Sequence, residues 1–151
     1  PFDDKQWVAM PALKLDVALV HADRADSRGI CQIVGPDTYM DEWMVRAAEK
    51  AFVSCEEIVE TSFFHAEQEA RAVYWERCMT TGVVPIAGGA HPSSCMPAYG
   101  VDMGHFKTYN ASPKDGGWDK YFQDFVACSQ DEYMQKIGGM DALKALPKKS
   151  Y

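Results

Sequence analysis

A chain that runs Gly82-Val-Val-Pro-Ile-Ala-Gly-Gly-Ala-His-Pro-Ser-Ser-Cys-Met-Pro-Ala-Tyr-Gly100 has few conformational choices there. The apolar run Val83 to Ala87, closed by glycine, predicts a short buried strand. Gly88 and Gly89 allow a sharp turn and a close approach by another group. Pro92, Pro97 and Gly100 rule out a long helix or a central strand beyond them. The expectation is a strand that ends in a structured loop carrying His91, Ser93, Ser94 and Cys95. In α/β folds such loops, at the carboxyl ends of strands, are where ligands gather.

The rest of the chain supplies the partners of that strand. Leu15 to Val20 is a near-continuous apolar run, which predicts a strand covered on both faces of a parallel sheet. Ile30 to Val34 reads as another strand. Thr38-Tyr-Met-Asp41 has the form of a capping box. Behind it Met40, Trp43, Met44, Ala47, Ala48 and Ala51 fall on one helical face, and Phe52 to Val59 then reads as a strand. Strand and helix alternate, so the predicted class is α/β, a mostly parallel open sheet flanked by helices. Ser62 to Met79 has helical spacing at Ala70, Val73, Tyr74 and Arg77. Val101 to Gly117 reads as ordered loop, with Met103, Phe106 and Tyr109 in need of burial. Trp118 to Val126 makes a broad apolar helical face. Ser129-Gln-Asp-Glu132 caps a further helix stopped by Gly138-Gly139, followed by a turn or two and a frayed tail from Pro147.

At 151 residues the chain is read as one domain, 1–151, with enough length for a core. A net charge of −7 argues against a nucleic-acid surface, so no nucleic-acid partner is expected. The five cysteines include no Cys-x-x-Cys pair, which fits neither a disulfide framework nor a zinc ribbon. A reducing cytoplasm is the expected setting. No apolar run approaches bilayer length, so no membrane partner is expected.

Several side chains have chemical potential. His91 and Cys95 could pair as imidazole and thiolate, or be a buried inert thiol beside a histidine that braces its own loop; the second reading is preferred. Ser93 and Ser94 could donate to an anion or satisfy the loop's backbone. Adjacent Glu56 and Glu57 point to opposite sheet faces, so they cannot act as a carboxylate pair. His21, His65, His91 and His105 lack ligand spacing, and no metal is expected. Lys107, Lys114 and Lys120 sit in or near loops and are read as solvated.

Gly-Ala-His-Pro-Ser-Ser-Cys, residues 89–95, resembles a loop in the C-terminal half of the A-type subunit of glutaconate CoA-transferase, a family I CoA-transferase. Lys14 to Ala22, Val53 to Val59, and Asp124 to Gly138 resemble the same polypeptide in the same order. The resemblance implies an active site between two related α/β subunits. It implies that a glutamate attacks an acyl-CoA, forming an anhydride and then a glutamyl-CoA thioester. In such enzymes that glutamate belongs to the B-type subunit, and no stretch of this chain matches its motif. The chain is therefore expected to hold no catalytic residue and to be inactive alone. Coenzyme A is expected as substrate, with no covalently bound cofactor. Expected partners are the B-type subunit, the N-terminal half of the A-type subunit, an acyl-CoA and a carboxylic acid such as a dicarboxylate. The chain begins at Pro1-Phe2, and the resemblance places that point midway along the A-type subunit, as a fragment or split subunit would. Gly88, Gly89, Ala90, His91, Pro92 and Ser93 are the positions expected to form a substrate, CoA or subunit-interface loop. The alternatives are a subunit of a ring-opening CoA-thioester hydrolase, which resembles the chain in the same loop, and a ligand-binding module without chemistry.

Overall fold

The computed structural model describes residues 3–36 and 38–148. Its centre is a four-stranded sheet in the order β2-β1-β3-β4. Strands β1 (Leu15–Ala25) and β3 (Ala48–Ile58) are parallel and in register, with His21 opposite Ser54. Strand β4 (Thr80–Pro85) adds to β3, also parallel. The expected α/β architecture is therefore present, with one antiparallel exception.

That exception is β2, which is only Cys31–Gln32 and pairs with Arg24 and Ala25. The reason lies in the turn before it. Asp26 accepts hydrogen bonds from the Arg28 and Ile30 amides at 2.9 Å each, and Gly29 takes φ +94°. The chain folds back at once, and no longer strand forms from Ile30 to Val34.

Alternation along β1 and β3 separates two faces. Ala18, Val20, Ala22, Ala51, Val53 and Cys55 point inward and pack with Val45 and Trp75. Val17 and Leu19 on β1, expected to be covered, are 49% and 78% exposed. No helix among the described residues lies over them. Phe52 on β3 and Val84 on β4 are exposed as well.

Helix α1 (Asp41–Ala47) is shorter than its spacing predicts, because the chain is already extended at Ala48. Its N-cap is Met40, with no side-chain cap, and the Thr38 carbonyl receives the Asp41 amide instead of a hydroxyl doing so. Residues 62–79 do not form one continuous helix. They make a 3-10 turn at Thr61–His65, one turn of α2 (Glu67–Ala70) and a second 3-10 turn at Arg77–Met79. Tertiary bonds override the local spacing: Ile33 N–H donates to the Ala72 carbonyl, and the Gln32 amide to Glu69. Buried Trp75 donates through Nε1 to Thr80 Oγ1 at 3.1 Å.

The region read as loop after Val101 contains helix α3 (Met103–Ala111), started by Asp102, which accepts the His105 amide at 2.8 Å. Met103 and Tyr109 are exposed on it, against expectation. Helix α4 (Gly117–Tyr121) continues as a π turn, Phe122–Val126. Helix α5 (Gln130–Lys136) starts at the capping box of Ser129 and Glu132, and Ile137 and Gly138 separate it from α6 (Gly139–Lys144), Gly138 and Gly139 both taking positive φ. Leu143 of α6 packs with Tyr99, Cys95, Met134 and Ile137 in a second core. Pro147 is not frayed, since its carbonyl packs against Gly100 where a Cβ would otherwise sit. The last part of the expected tail, 149–151, lies outside the described residues.

Candidate functional site

Strands β1, β3 and β4 deliver His21, Glu56 and the start of the central loop to one end of the sheet. Glu56, on the exposed side of β3, turns into the loop and is half-buried there. Its Oε2 accepts the Gly88 amide at 2.7 Å. Its Oε1 accepts from His21 Nε2 at 2.8 Å and from the Tyr99 hydroxyl at 2.5 Å. Tyr99 in turn accepts the Ala90 amide at 3.0 Å. His21 Nδ1 meets Ser54 Oγ at 2.8 Å. Burial alone would raise the Glu56 carboxyl, but the bonds from His21, Tyr99 and Gly88 outweigh it and hold the group ionised, below its ordinary value. An ionised carboxylate only accepts, so His21 carries a proton on Nε2. Glu57 points the other way and pairs loosely with Arg24, at 3.5 Å.

Gly88 needs its freedom, with φ +75°. Gly89 needs its size: a Cβ there would stand 2.8 Å from His21 Cε1 and 2.8 Å from the Ile86 carbonyl oxygen. The close approach expected of this pair is thus made by the loop on the His21 ring.

His91 turns away from this cluster toward Asp102, His105 and Tyr133, with its side chain fully buried. Nε2 faces Asp102 Oδ2 at 3.2 Å and Nδ1 faces the Tyr133 hydroxyl at 2.6 Å. Burial raises Asp102, but the His105 amide and His91 outweigh it and keep the carboxyl low, so Nε2 donates and Nδ1 accepts from Tyr133. Asp102 is the orienting acid that the sequence spacing did not reveal. The His91 and His105 rings meet edge to face at 4.9 Å. Pro92 contributes its carbonyl to the Asp102 amide.

His91 and Cys95 do not pair. Cys95 Sγ donates to Asp23 Oδ1 at 3.4 Å. Burial, with the charges of Asp23 and Glu56, pushes the thiol far above its ordinary range, so no thiolate is available at neutral pH.

Between β1, the start of α1 and the loop lies a cleft of ≈ 560 Å3, lined by His21, Asp23, Asp41, Ala90, Ser93, Ser94 and Cys95. Among the described residues the Ser93 and Ser94 hydroxyls take no protein partner, so both are free to donate. No lysine or arginine lines the cleft, and burial raises both Asp23 and Asp41. The cations lie next door, where Arg24, Lys144 and Lys148 share a depression of ≈ 340 Å3 beside Pro97 and Ala98 with the carboxylates of Asp23, Glu56 and Glu57. Lys107, Lys114 and Lys120 border neither. His21, Glu56 and Cys95 bring one ligand atom each to within 4.8 Å of one another and could converge on a metal ion, although each already has a hydrogen-bond partner.

The family described as Coenzyme A transferase matches residues 1–75. The cholesterol ring-cleaving hydrolase IpdA subunit of Rhodococcus jostii is 35% identical over 131 residues, 86% of this chain and 44% of the relative. The A-type subunit of glutaconate CoA-transferase from Acidaminococcus fermentans is 30% identical over 149 residues, 95% of this chain and 46% of the relative. The crystal structure of glutaconate coenzyme A-transferase from the same organism superposes with a TM-score of 0.79 at 29% identity, over 88% of this chain and 42% of that one. The chain is a family I CoA-transferase-like protein of the A-subunit type. This CoA-transferase-like chain spans less than half the length of the curated relatives it matches. A decarboxylase AibA/AibB variant shares the fold at TM-score 0.62 and 28% identity, over 75% of this chain and 39% of that one, so CoA-transferase-like architecture also accompanies other chemistry.

Proposed function

We propose that the chain is part of an A-type subunit that works with a B-type partner to move CoA between an acyl-CoA and a carboxylic acid, the attacking glutamate lying on the partner. One observation carries this reading. The reactive-looking groups of the site are already committed: Glu56 has both oxygens filled, and Cys95 is held as a thiol. A carboxylate holding three donors is a poor nucleophile, because most of its lone pairs are engaged. What this half can offer is a wall: the free hydroxyls of Ser93 and Ser94 for a carbonyl or carboxylate oxygen, and Lys144 and Lys148 for the phosphates of CoA. Among the described residues no helix is long and apolar enough to cross a membrane. We place the complex in the cytoplasm, where its five free cysteines would stay reduced.

The test is to incubate the assembled complex with a panel of acyl-CoA thioesters, trap with borohydride, and locate the modification by mass spectrometry. The expected result is a modified glutamate on the partner and none on residues 1–151. A trapped adduct on this chain overturns the reading. A second reading, a subunit of a ring-opening CoA-thioester hydrolase, is favoured by the higher identity to the ring-cleaving hydrolase, 35% against 30%. Opening of a cyclic acyl-CoA by one added water, without any acceptor acid or trapped glutamate, selects it.

A further inference from the structure

We propose that Glu56 is a positioning residue: by its contacts to His21, Tyr99 and the Gly88 amide it sets the path of the central loop, so that Ser93 and Ser94 face the cleft. This rests on the reading above for its ligand, a CoA thioester, but not for its geometry.

Three groups separated in sequence converge on one carboxylate. Glu56 lies on β3, His21 comes from β1, Gly88 from the turn after β4, and Tyr99 from the far end of the loop. The two loop contacts bracket the segment that carries the serines. Gly88 is fixed directly, and Ala90 through the shared Tyr99 hydroxyl. Tyr99 is fully buried, and its own backbone pairs with Cys95 in both directions, at 3.2 and 2.9 Å. The loop between Ala90 and Cys95 is thereby closed as a small ring of contacts, and Ser93 is left exposed at its outer edge. Gly89 has no side chain because the His21 ring occupies that space. A surface glutamate paired with one histidine would need none of this. Both Glu56 oxygens are spent on orienting backbone and ring, which is the pattern of a group that acts through others.

The experiment uses the assembled complex, in wild-type form and with Glu56→Gln, Tyr99→Phe or Glu49→Gln, an exposed glutamate on the same strand. Amide exchange of the peptide covering 86–100 is read beside the dissociation constant for free CoA. An amide side chain cannot accept all three bonds, so Glu56→Gln should speed exchange about tenfold or more in that peptide and weaken CoA by about tenfold. Tyr99→Phe should act in the same direction and less, keeping the proposal testable if Glu56→Gln does not fold. Glu49→Gln should change neither reading. Unchanged exchange in both Glu56→Gln and Tyr99→Phe overturns the latch. Faster exchange with unchanged CoA affinity overturns its role toward the ligand and leaves a purely structural one. A wild-type complex that binds no CoA sinks the functional reading instead, and the exchange result still decides the latch.

Discussion

The central loop is gripped at two places by different physics. At Glu56 the grip is ionic: one carboxylate gathers an imidazole N–H, a phenol and a backbone amide. At His91 the grip is made largely of rings: His91 bridges Tyr133 and Asp102, and stacks edge to face on His105, which itself meets Phe125 at 4.8 Å. The first grip holds His21, which lines the cleft, and the second lies among Tyr133, Asp102 and His105. The contrast teaches that the residue most conspicuous in the sequence, His91, is the brace, while an inconspicuous glutamate on a strand holds the working side.

The strongest way to break the first grip alone is Gly89→Val. Its Cβ would meet both the His21 ring and the Ile86 carbonyl at 2.8 Å, and a carbonyl cannot swing aside. We expect a loss of about 3 kcal/mol by chemical denaturation and loss of activity in the assembled complex. A variant with wild-type stability would show that the loop does not sit on His21. Tyr133→Phe breaks the second grip. It removes the hydroxyl 2.6 Å from His91 but keeps the ring, so about 1 kcal/mol should go, with CoA affinity retained. A large fall in affinity would mean that the two ends are not separable.

Acid should part the two ends without mutation. His105, buried and facing His91 as well as Asp102, is held below its ordinary value of 6.5, burial being the larger cause. Below pH 6.5 the unfolded chain therefore binds more protons than the folded one, and stability falls until His105 itself is protonated. Glu56 is held below 4.5, so its contribution is complete above that pH and is lost only as acid passes through its folded value. Amide exchange followed from about pH 7 to about pH 4 should loosen α3 and the His91 end first and the Gly88 amide last. The reverse order would refute the assignment. The smallest effect is expected midway, at Cys95→Ser. A hydroxyl can still donate to Asp23, so stability should move by less than about 1 kcal/mol and turnover should persist. Abolished turnover in a folded complex would restore the cysteine as nucleophile and remove the glutamate on the partner.

Much of the frame was legible because it depends on local pattern. The apolar runs in β1 and β3 and the Ser129–Glu132 box are short-range signals, and each produced its element. What was not legible depends on partners distant in sequence. Residues 62–79 have helical spacing, but Gln32 and Ile33 claim their backbone and side chains. Alternation told correctly that Glu56 and Glu57 part company, yet nothing near Glu56 announces Tyr99, 43 positions away. The one local hint was the doubled glycine, whose second member has no strained φ and needs only room. Asp102 was hidden in the same way, since its service to His91 becomes visible only once it also starts α3.

The bare strip of Val17, Leu19, Phe52 and Val84 has a consequence of its own. Apolar area left in water is unrealised free energy, and whatever covers it binds the folded form in preference to the unfolded one. The melting temperature of such a chain is then not a constant of the polypeptide. It becomes a titration curve, rising with the concentration of any surface that fits the strip.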